Sequence, residues 1–130
     1  MNQLEPKFFG MYLGTVPVRE HSHDVVELVW QEEGRCRHWL GGQYFETEEE
    51  DLLIVPANTP HRQESDGEAV TLFCCFSCEP GWFDMTARVE AFAGDCFVGR
   101  WFSELIEVAN IADRNWREMM CGILYRSEEH

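Results

Sequence analysis

Four residues of this 130-residue chain combine types and spacings that could do chemistry: His21, His23, Glu27 and His61. His21 and His23 are two residues apart. On a β-strand such residues point to the same face, so both imidazoles would enter one space. Glu27 lies four residues further on and keeps that parity. His61 follows Pro56-Ala57-Asn58-Thr59-Pro60, a turn able to bring a distant strand back alongside. Three imidazoles and a carboxylate suit a divalent transition ion such as zinc, manganese, iron, nickel or copper. Mixed nitrogen and oxygen donors do not choose among these metals.

Other residues are weaker candidates. His38 alternates with Cys36 and Leu40 on a strand-like run, which makes it a pocket-wall residue, a surface residue or a further ligand. Trp30, Trp39, Tyr44 and Phe45 are able to stack on the face of a sugar or to fill the core. Cys75 and Cys78 form a Cys-x-x-Cys, but no second pair stands near enough to complete a four-thiolate zinc site. They read as small apolar residues at the end of a buried strand.

The elements that must position these groups are short strands. Residues 8–13, 25–30, 35–40, 43–47, 52–55 and 70–76 are rich in β-branched and aromatic residues and are separated by Gly, Pro and acidic breaks. Gly41-Gly42 between two such runs predicts a tight hairpin with both glycines at positive φ. Strands at this spacing indicate a sandwich or barrel. The last third changes period. Phe97, Trp101, Leu105, Val108 and Ala112 step by helical intervals, and Trp116, Met119, Met120, Ile123 and Leu124 form a second stripe. Helices are expected over 98–110 and 115–126, giving a β-barrel over 1–96 and a helical segment over 97–130.

Composition bounds the partners. A formal net charge of −14 repels phosphate backbones, so these residues should not bind DNA by themselves. No apolar run approaches the roughly 18 residues of a membrane span, and the N-terminus has no apolar signal core. The six cysteines are then expected as free thiols in the cytoplasm.

The stretch from His21 to Glu27, followed by six residues and Gly34, resembles the first cupin motif, H-x-H, three residues, E, six residues, G. Pro56 and His61 match the second motif, while Glu50 and Asn58 stand where that motif favours glycine and Ser65 where it favours Asn. Within the cupins the chain is similar to the N-terminal effector domains of AraC-type transcriptional regulators. The similarity lies in His21-x-His23-Asp24, in Gly41-Gly42 leading into Gln43-Tyr44, in Asp51 to Pro56, and in Thr59-Pro60-His61.

That resemblance implies a mostly β fold, a cupin double-stranded β-helix followed by a C-terminal two-helix hairpin. It implies a small-molecule effector, frequently a sugar, in a pocket formed by His21, His23, Glu27, His61, His38, Trp30 and Tyr44. The His and Glu side chains are able either to hold a metal ion (zinc, nickel, manganese or iron) or to hydrogen-bond an organic effector directly. The helices resemble the dimerisation helices of those regulators, and Trp101, Leu105 and Val108 with Trp116, Met120 and Leu124 are the expected homodimer surface. DNA would be reached only through a C-terminal helix-turn-helix region, which this chain does not contain. The alternative is a stand-alone cupin metalloenzyme of the dioxygenase or isomerase type, using the same four residues.

Overall fold

The computed structural model describes residues 4–14, 17–79, 81, 84–94 and 96–108. Nine strands are found there: β1 (Leu4–Gly14), β2 (Val18–His21), β3 (Val26–Glu33), β4 (Cys36–Leu40), β5 (Gln43–Thr47), β6 (Asp51–Val55), β7 (His61–Ser65), β8 (Ala69–Cys78) and β9 (Arg88–Ala91). One helix, α1 (Cys96–Val108), follows. The strands form two antiparallel sheets, one in the order β1-β8-β3-β6-β9 and the other β2-β7-β4-β5.

Turn chemistry explains several joins. Leu40 pairs with Gln43, so Gly41-Gly42 makes a two-residue hairpin as expected. Gly41 alone of the two has positive φ, 57°, which is the pattern of a II′ turn and not of the I′ turn anticipated. Gly34 has φ 74°, and a Cβ there would stand 2.6 Å from the Glu68 carbonyl oxygen. Only glycine fits both the left-handed backbone and that approach. Glu50 and Asn58 also have positive φ, 70° and 59°. The backbone thus keeps a left-handed conformation at both positions without the glycine that the cupin motif favours.

The five-stranded sheet is covered on both faces. Val26, Leu28 and Trp30 of β3 join Leu52, Ile54, Leu72, Cys74 and Phe76 in one core, against Phe92 and the helix residues Val98 and Phe102. Val29, Leu53 and Val55 point the other way and meet Leu40 of the four-stranded sheet. Burial on both faces explains why residues 25–31 are buried without alternation.

The helix packs through a stripe one residue away from that expected. Val98 and Phe102 are fully buried and Trp101 is half-buried, whereas Phe97 is 42% exposed. The difference arises because Trp30 needs a flat neighbour. A Cβ on Gly99 would come within 3.0 Å of the indole, so glycine lets α1 close on it beside Phe102. The expected second helix, with Trp116, Met120 and Leu124, lies outside the described residues, as do the side chains of Leu105 and Val108. β7 and β9, HRQES and RVEA, were not expected as strands, because their polar side chains hide the period.

Candidate metal centre

The four chemically capable residues come from both sheets and one loop. His21 ends β2 and His61 begins β7. The two strands pair directly at these residues, and the rings stand 4.2 Å apart by centroid. Glu27 enters from β3 of the five-stranded sheet, where its backbone pairs with Val55 of β6 and Cys75 of β8. His23 lies in the loop between β2 and β3, not on a strand with His21. The strand parity that suggested their convergence therefore does not produce it. A bend through Asp24 and Val25 does, and the Asn58 N–H donates to the His23 carbonyl at 2.8 Å to hold that loop. One donor atom from each of His21, His23, Glu27 and His61 lies within 4.8 Å of every other.

The three imidazoles are oriented alike. Nδ1 contacts a carbonyl oxygen in each: Arg19 O at 2.8 Å for His21, Val25 O at 3.2 Å for His23 and Thr59 O at 2.8 Å for His61. A carbonyl only accepts, so each Nδ1 carries hydrogen and each Nε2 is left as the inward atom. This is the backbone support that metal-ligating histidines use. His61 Nε2 is buried and makes no hydrogen bond, standing 3.5 Å from Glu27 Oε1. His23 Nε2 is 2.9 Å from the same oxygen, and the Cys75 thiol donates to it at 3.7 Å.

Charge follows from this crowding. Burial pushes the Glu27 carboxyl up, but the His61 and His23 imidazoles outweigh it and hold it below its ordinary value. For His61, burial lowers the imidazole, while Glu27 and the Thr59 carbonyl more than restore it, so the net shift is upward. Three inward nitrogens, one of them orphaned in the interior, and a buried carboxylate fit a divalent transition ion. His21, His23 and His61 would hold it through Nε2 and Glu27 through its carboxylate.

The family of the chain can be read from its sequence as a whole. The model of the AraC-like ligand binding domain matches residues 12–130. The chain belongs to that family. No curated protein sequence matches it. Among solved structures, the AraC-like domain is similar to the protein YhaK from Escherichia coli, with TM-score 0.61 and 8% identity over 71% of this chain and 44% of that one. It thus spans less than half the length of YhaK. It is also similar to an RmlC-like cupin from Shewanella frigidimarina, with TM-score 0.51 and 12% identity over 60% of this chain and 69% of that one. Both likenesses concern the fold alone.

In this AraC-like domain the remaining candidates separate. His38 is buried and lines the same cavity as His21, Glu27 and His61. It is held away from their donor set by Thr47. The Thr47 hydroxyl donates to Gln31 Oε1 at 2.7 Å, so at 2.8 Å it accepts from His38 Nε2. Burial lowers the His38 pKa to about 4, and the ring is neutral at pH 7. Trp30, expected at the pocket, faces the opposite side of the sheet. It stacks on Phe102 and donates to Glu32 at 3.0 Å. Its place on β3 is even-numbered, and the even residues of that strand face the helix. Tyr44 is 47% exposed on the outer face of β5, where its hydroxyl donates to Glu46 at 2.8 Å and its ring meets Trp39.

Sequence reasoning missed Gln31, Thr47 and Tyr12. The first two carry the buried hydrogen bonds behind His38, and Tyr12 lines the cavity while stacking on Phe73. A buried Gln in an apolar strand was the available signal. The free space enclosed at the cluster is about 10 Å3.

Proposed function

We propose that this chain is the ligand-sensing and dimerising domain of an AraC-type transcription regulator of the cytoplasm, and that it senses through His21, His23, Glu27 and His61. The observation that carries the reading is the four-donor cluster, with Glu27 and His61 buried and His21 and His23 partly buried, inside a domain of the AraC-like ligand binding family. When bound, a divalent ion would supply a Lewis-acidic centre there. The chain's own residues orient three imidazoles through backbone carbonyls and keep a carboxylate charged. A net charge of −14 leaves DNA contact to a separate helix-turn-helix region. Self-association would use the helical surface around Trp101, Leu105, Val108, Trp116, Met120 and Leu124. The small free space at the cluster, about 10 Å3, supports this reading over an enzyme of the cupin type, which needs room for substrate beside its metal.

The test is a reporter. Placed ahead of a DNA-binding domain that requires dimerisation, the chain should make expression depend on the ligand of the cluster. Substituting His61 should remove that dependence. Expression unaffected by any ligand of the domain, or still dependent after the substitution, rejects the proposal.

A further inference from the structure

The chain carries 10 Lys and Arg against 24 Asp and Glu, so two copies repel wherever acidic surface meets acidic surface. The outer face of the four-stranded sheet is different. β4 sends Cys36, His38 and Leu40 into the interior, and Arg37 and Trp39 therefore point outward. The strand register sets Arg37 between Glu46 of β5 and Glu64 of β7, and Trp39 between Tyr44 and Arg62 of the same two strands. These side chains form two rows across the sheet, in which Arg37 and Arg62 balance Glu46 and Glu64.

The rows have the composition of an interface centre. The Arg62 guanidinium lies over the Trp39 ring, 3.7 Å from its centre, and the Tyr44 ring centre stands 5.2 Å away. Trp, Tyr and Arg dominate binding energy where proteins meet. Here Tyr44 is 47% exposed, and the side chains of Arg37, Arg62 and Glu64 are half-buried. The helix packs on the other sheet, against Trp30 and its neighbours. Ion pairs within the face, Arg37 with Glu64 at 3.8 Å and Arg62 with Glu64, contribute little in water and leave each charge able to reach a second partner.

We infer that this face binds a second copy of the chain, sheet against sheet, about a two-fold axis that runs across the strands between the two rows. A two-fold contact sets a patch against itself, so the patch must complement itself. An axis across the strands lays each row on the other row of the partner. Arg62 then meets the partner's Glu64, Trp39 meets the partner's Arg37, and Tyr44 meets the partner's Glu46. Those contacts are an ion pair, a cation over an aromatic ring and a hydroxyl donating to a carboxylate. An axis along β4 would instead set Arg37 on the partner's Arg37 and Glu64 on the partner's Glu46, which like-charge repulsion disfavours. The charges select the first arrangement, with the two sheets about 10 Å apart and their strands aligned. Six side chains fall well short of the roughly 20–30 residues a side of a standard interface, so the contact is weak and forms as concentration rises. It is separate from the helical surface of the proposed dimer and adds one step of association to the species present in dilute solution.

Sedimentation equilibrium of the full chain from about 10 μM to about 1 mM reads that step. The mass should double above that of the dilute species. Arg62→Glu and Glu64→Arg should each weaken the step by more than about 10-fold, because the two-fold axis places each change twice. Glu64→Arg also lowers the net negative charge, so it would strengthen an association governed by overall charge alone. The two changes combined keep the facing pair with its signs exchanged and should restore the step. Glu33→Arg, at the exposed end of β3, alters the charge equally but lies off this face, and it should leave the step intact or stronger. Thermal unfolding of each variant ensures that folded chains are compared, and Glu64→Arg carries the test if Arg62→Glu does not fold. A single mass over the whole range would overturn the inference. So would a doubling that Glu64→Arg leaves unchanged or strengthens, an equal loss in Glu33→Arg, or a combined variant that folds without restoring the step.

Discussion

Acidification should destabilise the ion-free protein through His38, and the size of the effect follows from its surroundings. The ring is 2% exposed, and its Nε2 hydrogen bonds to a Thr47 hydroxyl whose own hydrogen is committed to Gln31. Burial lowers its pKa from 6.5 to about 4, so the folded state holds it neutral where the unfolded chain would protonate it. Between those values the unfolded state binds more protons, and stability rises with pH. The contribution is therefore present in full above about pH 6.5 and is lost as pH falls towards 4. A shift of that size is worth about 3 kcal/mol over the whole window, at roughly 1.4 kcal/mol per unit. About 2.5 kcal/mol of it should be gone by about pH 4.5. His38→Gln keeps a donor for Thr47 and cannot titrate. Urea unfolding of the metal-stripped protein and this variant, from about pH 7.5 to about pH 4.5, should show the native chain losing that much more stability than the variant. Parallel losses would refute the buried neutral histidine.

Three further outcomes are expected. Gly34→Ala meets both a positive φ and a backbone oxygen at 2.6 Å, and should cost about 2–3 kcal/mol in urea unfolding. Glu50→Gly removes a left-handed non-glycine residue and should stabilise the fold by about 1 kcal/mol, reduced by the loss of its exposed hydrogen bond from the Gly94 N–H at 3.1 Å. In sedimentation velocity the chain should run as a dimer of its 15.2 kDa protomer, and Leu124→Glu should dissociate it; a monomer before substitution removes the proposed self-association.

The sequence by itself determined the family, the donor types of the candidate site and the positions of six of the nine described strands. His21, His23, Glu27 and His61 were legible because side-chain chemistry and spacing are local properties, and the cupin motif ties them to turns at Gly34 and Pro56. The Gly41-Gly42 hairpin was legible for the same reason. The left-handed backbone at Glu50 and Asn58 was visible only as a departure from a pattern, since neither residue type demands positive φ.

Only the tertiary structure decided which face was the interior. Alternation on β3 says that Glu27, Val29 and Gln31 share one side and Leu28 and Trp30 the other, but both sides are apolar enough to be buried. The packing of α1 against Trp30 settles the matter, and with it the exclusion of Trp30 from the site. The position of His23 in a loop, the carbonyls that orient three imidazoles, and the Thr47–Gln31 support of His38 all join residues distant in sequence or set by a bend. The space left at the cluster is likewise a sum over side chains from both sheets, Leu40 and Tyr12 among them. A one-dimensional pattern can place donors on a common face, but the volume between two faces exists only once both sheets have packed.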